Sequence, residues 1–197
     1  MDHYQNMLER YQTGQIPWDH ELPPPEVLAY VPTLPPGKAL DLGCGLGRAA
    51  IFMAGLGWDV DAVDFIPLAV DAARARAKAA GVSPRFHMAP VIELDFLTGL
   101  FDLALDVGCL HGLPSNELPA YHRQLLRLLK PDGQFMLFAH LRTDDSPADG
   151  HRWIEEAALR RLFDHGFTLN RVEYGTTQIQ DHDPWKSAWF WFAKRKA

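Results

Sequence analysis

Cysteine is nearly missing from this chain: Cys44 and Cys109 are the two in 197 residues. Two are too few for a disulfide framework, and neither lies in a paired metal-ligand spacing. The nine histidines form no His-x-Glu-x-x-His-like or cysteine-paired pattern, so no metal is expected. No apolar run approaches the roughly 18 residues needed to span a bilayer, which argues against a membrane partner. The start, Met1-Asp2-His3-Tyr4-Gln5, lacks the basic beginning and apolar stretch of a secretory leader, and a cytoplasmic location is expected. Positive charge is also in deficit. Nineteen Lys and Arg face 25 Asp and Glu, a formal charge of −6. Proteins that bind nucleic acid carry a basic stripe to replace phosphate counterions. Here the basic clusters at 74–78 and 194–196 are short and read as solvated faces, so a small-molecule partner is expected instead of a nucleic acid. Nothing in the sequence signals an oligomeric state.

What the chain does contain is periodic. Hydrophobic residues make up 47% of it, enough for a sizeable core. Tyr4, Met7, Leu8 and Tyr11 stand at helical spacing within 2–13, and Gly14 closes that helix. A proline-rich stretch around Trp18 cannot continue it. Further helices are expected at 26–31, up to about 54, at 67–80, 116–129 and 154–164. Strands are expected at 38–42, 58–63, 85–89, 101–106, 134–140, 167–174 and 185–194. A hairpin-like connection at 178–184 makes the last pair antiparallel. This is one alternating α/β domain over 1–197, with 1–36 as an N-terminal helical lid and 37–197 as the core.

The chain is organised around Ala39-Leu40-Asp41-Leu42-Gly43-Cys44-Gly45-Leu46-Gly47-Arg48, a strand running through a glycine-rich loop into a helix. Such a loop permits positive backbone torsions and close approach of a ligand to the main chain. At a helix N-terminus it is expected to present unpaired N–H donors, which suits an anionic group. Asp64 ends the next strand, about 20 residues on, where a carboxylate matches the two vicinal hydroxyls of a ribose. Loop and acid together imply a nucleoside-containing ligand without separating S-adenosylmethionine from NAD. The glycine spacing separates them, because dinucleotide loops usually read G-x-G-x-x-G and this one reads G-x-G-x-G.

With Asp41 two residues before the first glycine, the pattern resembles the S-adenosylmethionine-dependent methyltransferases of the Rossmann-like class I. The Pro17-Trp18 segment and the run Phe101-Asp102-Leu103-Ala104-Leu105-Asp106-Val107-Gly108 are similar to those of the small thiopurine and tellurite-resistance types. The resemblance implies a doubly wound, seven-stranded sheet, mostly parallel with an antiparallel last strand and helices on both faces. It implies S-adenosyl-L-methionine as cofactor and S-adenosyl-L-homocysteine as product. It places the cofactor against Trp18, Asp41, Gly43, Cys44, Gly45, Gly47, Asp64, Phe65, Ile66, Pro90, Val91, Asp106, Val107 and Gly108. Two positions depart from the family. Pro90 stands where relatives commonly carry an acid for the adenine amino group, which leaves the Val91 N–H and apolar contact from Val91 and Ile92. Val107 stands where thiopurine-type relatives carry an arginine near the substrate.

Methyl transfer to a small-molecule O, N or S nucleophile needs chiefly that the acceptor be held in line with the sulfonium methyl. Where the acceptor must lose a proton, His111 and His140 are the candidate bases, since both follow strands at the expected mouth and histidine titrates near neutrality. Arg48, in the first turn of a helix, opposes the helix dipole and is expected to find a salt bridge. The alternative reading of the same fold is a cyclisation of the cofactor's aminobutyrate arm. An NAD-dependent oxidoreductase and a non-catalytic cofactor-binding module fit the glycine spacing and open mouth less well.

Overall fold

The computed structural model describes residues 3–144, 146, 153–178 and 184–196. Contacts divide the chain into two compact units, Met1–Val91 and Ile92–Ala197. The strands form one seven-stranded sheet in the order β3-β2-β1-β4-β5-β7-β6. No helix among the described residues is long and apolar enough to cross a membrane.

In the first unit, β1 (Lys38–Leu42), β2 (Asp59–Asp64) and β3 (Arg85–Met88) are parallel, with Leu40 beside Asp61 and Ala62 beside Phe86. β1 and β2 are buried beyond their first residue, as parallel strands covered on both faces are. The two parallel connections are helical: α3 (Arg48–Gly55), then α4 (Pro67–Ala79), whose Pro67 has the fixed torsion a first helical position favours. Before β1 come α1 (His3–Thr13) and α2 (Pro25–Tyr30), with Gly14 at φ 71° just past α1. The apolar stripe of α1 finds its partner here: Tyr4, Met7, Leu8 and Tyr11 pack on Leu46, Ile66 and Ala69.

In the second unit, β4 (Phe101–Val107) pairs in parallel with β5 (Leu129–His140). β7 (Trp185–Lys194) is antiparallel to β5 on one side and to β6 (Phe167–Thr177) on the other. The helices α5 (Leu118–Leu128) and α6 (Glu156–Asp164) complete it. β7 is buried from Ser187 to Phe192 on both faces, where Phe190 and Phe192 join Phe135, Phe163 and Phe167, and Arg171 covers the Trp191 ring at 4.5 Å.

Several boundaries shift by a residue or two from the sequence reading, and three of the differences have a cause in strand pairing. Strand five begins at Leu129 instead of 134, because Lys130–Gly133 forms a bulge inside it: β5 runs from Leu129 to Gln134 while β4 runs from Phe101 to Leu103. Asp132 takes φ 61° there, and a Cβ on Gly133 would lie 2.8 Å from the Lys130 carbonyl. The helix expected from 154 starts at Glu156, since Ile154 is spent on a bridge, donating to the His140 carbonyl at 3.0 Å and accepting from Arg142 at 2.9 Å. β6 continues to Thr177, three residues past its expected end, paired with β7 throughout. Asp2, residues 145 and 147–150 of the loop after strand five, and 179–183 of the last connection lie outside the described residues.

Candidate active site

The glycine loop is held by its own hydrogen bonds. Gly43 and Cys44 N–H both donate to the Val63 carbonyl at 2.9 Å, Gly47 N–H to the Cys44 carbonyl at 2.9 Å, and Gly45 N–H to Asp64 Oδ2 at 2.9 Å. The expected row of unpaired N–H donors is therefore absent at these four positions. The cause at Gly43, Cys44 and Gly45 is the parallel neighbour β2, whose last two residues accept them, while Gly47 is satisfied inside the loop. All three glycines take positive φ, at 69°, 53° and 82°. Gly47 has a packing reason as well: a Cβ there would meet Ala73 at 2.9 Å and the Phe86 ring at 3.0 Å.

Asp64 organises this loop. Its Oδ1 accepts the Ile66 N–H at 2.9 Å while Oδ2 takes Gly45 at 2.9 Å. Burial raises its carboxyl above the ordinary range, against the N–H groups of Ile66, Gly45 and Phe65 that favour the charge. Asp41 is 2% exposed, with Arg48 close enough to feel its charge. Arg48 does not form the expected ion pair. Its Nη1 donates to the Leu22 carbonyl at 3.4 Å, and burial lowers its pKa. A cleft of about 390 Å³ beside it is lined by Asp19, His20, Glu21, Ile51 and Arg76. Across that lining, Arg76 holds Asp19 in a two-pronged pair at 3.0 and 2.8 Å.

Tyr11 is the residue the sequence reading left out of the contact set. A Cβ on Gly45 would lie 3.2 Å from its hydroxyl, and the half-buried Trp18 hydrogen-bonds to it through its side chain. Burial, and then the charge of Asp64, push the Tyr11 hydroxyl well above its usual pKa. Its helical spacing was legible; its landing place on the loop was not. Phe65 is covered from α1, stacked on His3 at 5.6 Å and edge-on to Tyr4 at 5.8 Å. Val91 is 5% exposed and Pro90 is exposed. Ile66 is 0% exposed, and its side chain packs in the core.

In the second unit, Asp106 holds a loop of its own. It is 0% exposed and accepts from Cys109 N–H at 2.7 Å, Leu110 N–H at 3.0 Å and Tyr121 Oη–H at 2.7 Å. Burial raises its carboxyl to about 6. The turn it holds includes Gly108 at φ 91°, where a Cβ would lie 3.3 Å from the His111 ring. Val107, preceding it, is half-buried. The structure brings His111 and His140 together, ring centroids 4.4 Å apart. The His140 N–H donates to His111 Nδ1 at 3.3 Å. Phe138 and Trp185 stand edge-on to His140 at 5.3 and 5.1 Å, and Trp153 stands edge-on to Trp185 at 5.7 Å. Burial, then the second imidazole, hold the His111 pKa well below its ordinary value. No group of three or more His, Cys, Asp or Glu among the described residues could hold a metal ion.

Comparison with known proteins fits this geometry. Residues 39–133 match the family described as a methyltransferase domain. Thiocyanate methyltransferase 1 of Brassica oleracea is 31% identical over 140 residues, covering 68% of this chain, and the chain spans 61% of that relative's length. The 2-heptyl-1-hydroxyquinolin-4(1H)-one methyltransferase of Mycobacteroides abscessus is 23% identical over 182 residues, 87% of this chain and 80% of that one. Among solved structures, a Burkholderia thailandensis 1,6-didemethyltoxoflavin-N1-methyltransferase with bound S-adenosylhomocysteine shares the fold at TM-score 0.75 and 24% identity, covering 98% of this chain and 87% of its own. With its glycine loop, its acid-tipped second strand and its late antiparallel strand, the chain belongs to the class I, Rossmann-like S-adenosylmethionine-dependent methyltransferases.

Proposed function

We propose that the protein transfers the methyl group of S-adenosylmethionine to a small-molecule acceptor. The observation that carries this reading is the glycine loop tied to Asp64. The N–H groups of Gly43, Cys44, Gly45 and Gly47 are used within the fold, which suits the cationic methionine end of this cofactor better than a pyrophosphate at these four positions. When bound, the cofactor supplies an electrophilic methyl carbon. Asp41 and the carbonyls of Gly43, Cys44 and Gly45 take the methionine end, and Gly47 lets α4 and β3 pack close beneath it. Asp64 takes the ribose hydroxyls. Trp18, Phe65, the backbone at Ile66, Pro90 and Val91 take the rest, and Val107 and Gly108 contribute backbone. His111 and His140 face the acceptor.

The relatives' acceptors, a thiocyanate in one and a hydroxyquinolone in the other, support a small acceptor here. The formal charge of −6 supports the same reading over a nucleic acid. We further propose that 1–197 works as one methyltransferase domain in the cytoplasm, with 1–36 as its lid. The cyclisation and oxidoreductase alternatives predict different products and ligands. Calorimetry should give tight binding of S-adenosylhomocysteine and none of NADH, and mass spectrometry of reactions with an acceptor library should find S-adenosylhomocysteine as by-product. Methylthioadenosine in its place would overturn methyl transfer.

A further inference from the structure

We infer that His111 is locked as a hydrogen-bond donor through Nε2 and positions an acceptor that arrives with its nucleophilic lone pair already available, as a thiolate, an N-hydroxy anion or an unprotonated ring nitrogen. This rests on the methyl-transfer reading above and narrows its substrate class.

The argument begins with the backbone N–H of His140, which donates to His111 Nδ1 at 3.3 Å. A ring nitrogen that accepts a hydrogen bond carries no proton, so the proton of the neutral imidazole sits on Nε2. None of the described residues accepts from that Nε2–H. The ring has little room to turn over and exchange the two nitrogens. Gly108, at φ 91°, lets Cε1 settle 3.3 Å from where a Cβ would stand, and the His140 ring lies 4.4 Å away on centroids. The imidazolium is disfavoured as well, by burial and by the neighbouring imidazole. His111 thus fails as a general base twice: its basic lone pair is engaged by His140, and its outward nitrogen already bears a proton.

A donor in this position does other work. It holds a lone pair other than the attacking one (a second pair on a thiolate or N-hydroxy oxygen, or a pair on an atom beside the ring nitrogen) and with it the acceptor's orientation, without removing any proton. The chemistry balances on those terms. The acceptor's lone pair forms the bond to the methyl carbon, the carbon–sulfur bond breaks, and its electron pair stays on sulfur, giving the neutral thioether. An anionic acceptor ends neutral, a neutral ring nitrogen ends cationic, and no proton changes hands.

Two measurements test this. The first uses the protein labelled with ¹⁵N-histidine and saturated with S-adenosylhomocysteine, followed by two-bond proton–nitrogen correlation from pH 6 to 8. His111 should show Nε2 protonated and Nδ1 unprotonated throughout, with His111→Gln removing its signals and coupling to the His140 amide identifying them independently. A proton on Nδ1, or titration to the imidazolium within that window, overturns the inference whatever the acceptor. The second uses the unaltered enzyme with thiocyanate, thiophenol and phenol as probes. Thiocyanate and thiophenol should be methylated, with the thiophenol rate following its own ionisation, and phenol should lag at pH 7. Phenol turnover as fast as thiophenol, with a pH limb belonging to the enzyme, overturns it too. His111→Phe should lower kcat/KM on thiophenol about tenfold, the loss of one hydrogen bond, and His111→Gln, which keeps an N–H donor, should recover most of it. Failure of the methyl-transfer reading looks different: no probe carries a new methyl group, while the tautomer is decided by the first measurement.

Discussion

Asp64 closes β2 and Asp106 stands one residue before the end of β4, and each carboxylate accepts backbone N–H groups of a nearby loop. Their partners set them apart. Asp64 takes backbone N–H groups only, those of Gly45, Ile66 and Phe65. Asp106 takes the N–H groups of Gly108, Cys109 and Leu110 and adds a partner from another element, the Tyr121 hydroxyl on α5, and has no exposed surface. The same residue type at the same kind of strand end is thus left able to receive a ligand in one unit and sealed into the interior in the other. An acid at the end of a parallel strand is a statement about loop geometry first, and about ligands only where a neighbour leaves room.

The comparison breaks most easily at the sealed end. Asp106→Ala strands buried donors at Cys109, Leu110 and Tyr121, and urea unfolding should show a loss of about 3–5 kcal/mol. A loss under about 1 kcal/mol would mean that water or another group satisfies them.

The next effect is in pH. The Asp106 carboxyl is raised in the folded protein to about 6 from 3.8, so its protonated form favours folding. Stability from this group is complete below 3.8 and is lost as pH rises through about 6. That shift corresponds to about 3 kcal/mol. Urea unfolding at pH 4 and pH 7 should show this component in the native protein and its absence in Asp106→Asn.

Asp64→Ala sharpens the contrast from the other side. S-adenosylhomocysteine binding should weaken by about 1.5–3 kcal/mol in calorimetry, as for hydrogen bonds to a charged group. Unchanged affinity would remove the ribose role and leave Asp64 a second loop-former. The smallest effect belongs to the N-terminal segment. Arg76→Gln removes a solvent-exposed pair with Asp19 and should cost about 0.2–1 kcal/mol in stability, with a stronger salt dependence of cofactor binding in the native protein than in the variant.

Element order was legible because hydrophobic period and breaker residues are local signals. β1 and β7 fall on the expected residues, and α4 begins at Pro67 as a proline-led helix should. Lys130–Gly133 falls outside the expected fifth strand because Pro131, Asp132 and Gly133 suit a turn as well as a bulge; the choice is made by β4, which pairs on either side of it. Ile154 looked like the first apolar position of a helix until the Leu141 strand end claimed its backbone. In the site, the loop, Asp64 and the two histidines were legible as residue types in sequence. Which of their polar groups were already spent was not.

The sequence by itself determined the alternating α/β order, the glycine loop that ends the first strand, the acid that ends the second, and the shortage of positive charge. Tertiary structure decided what those groups have left to offer. Gly45 meets Asp64 across 19 residues of chain, and His140 meets His111 across 29. A hydrogen bond uses up a direction on both partners, so the capacity of a polar group depends on neighbours in space that no local pattern names. That is why Gly43, Cys44, Gly45 and Gly47, expected to offer N–H groups, have already used them, and why His111 Nδ1 already accepts a hydrogen bond from the main chain.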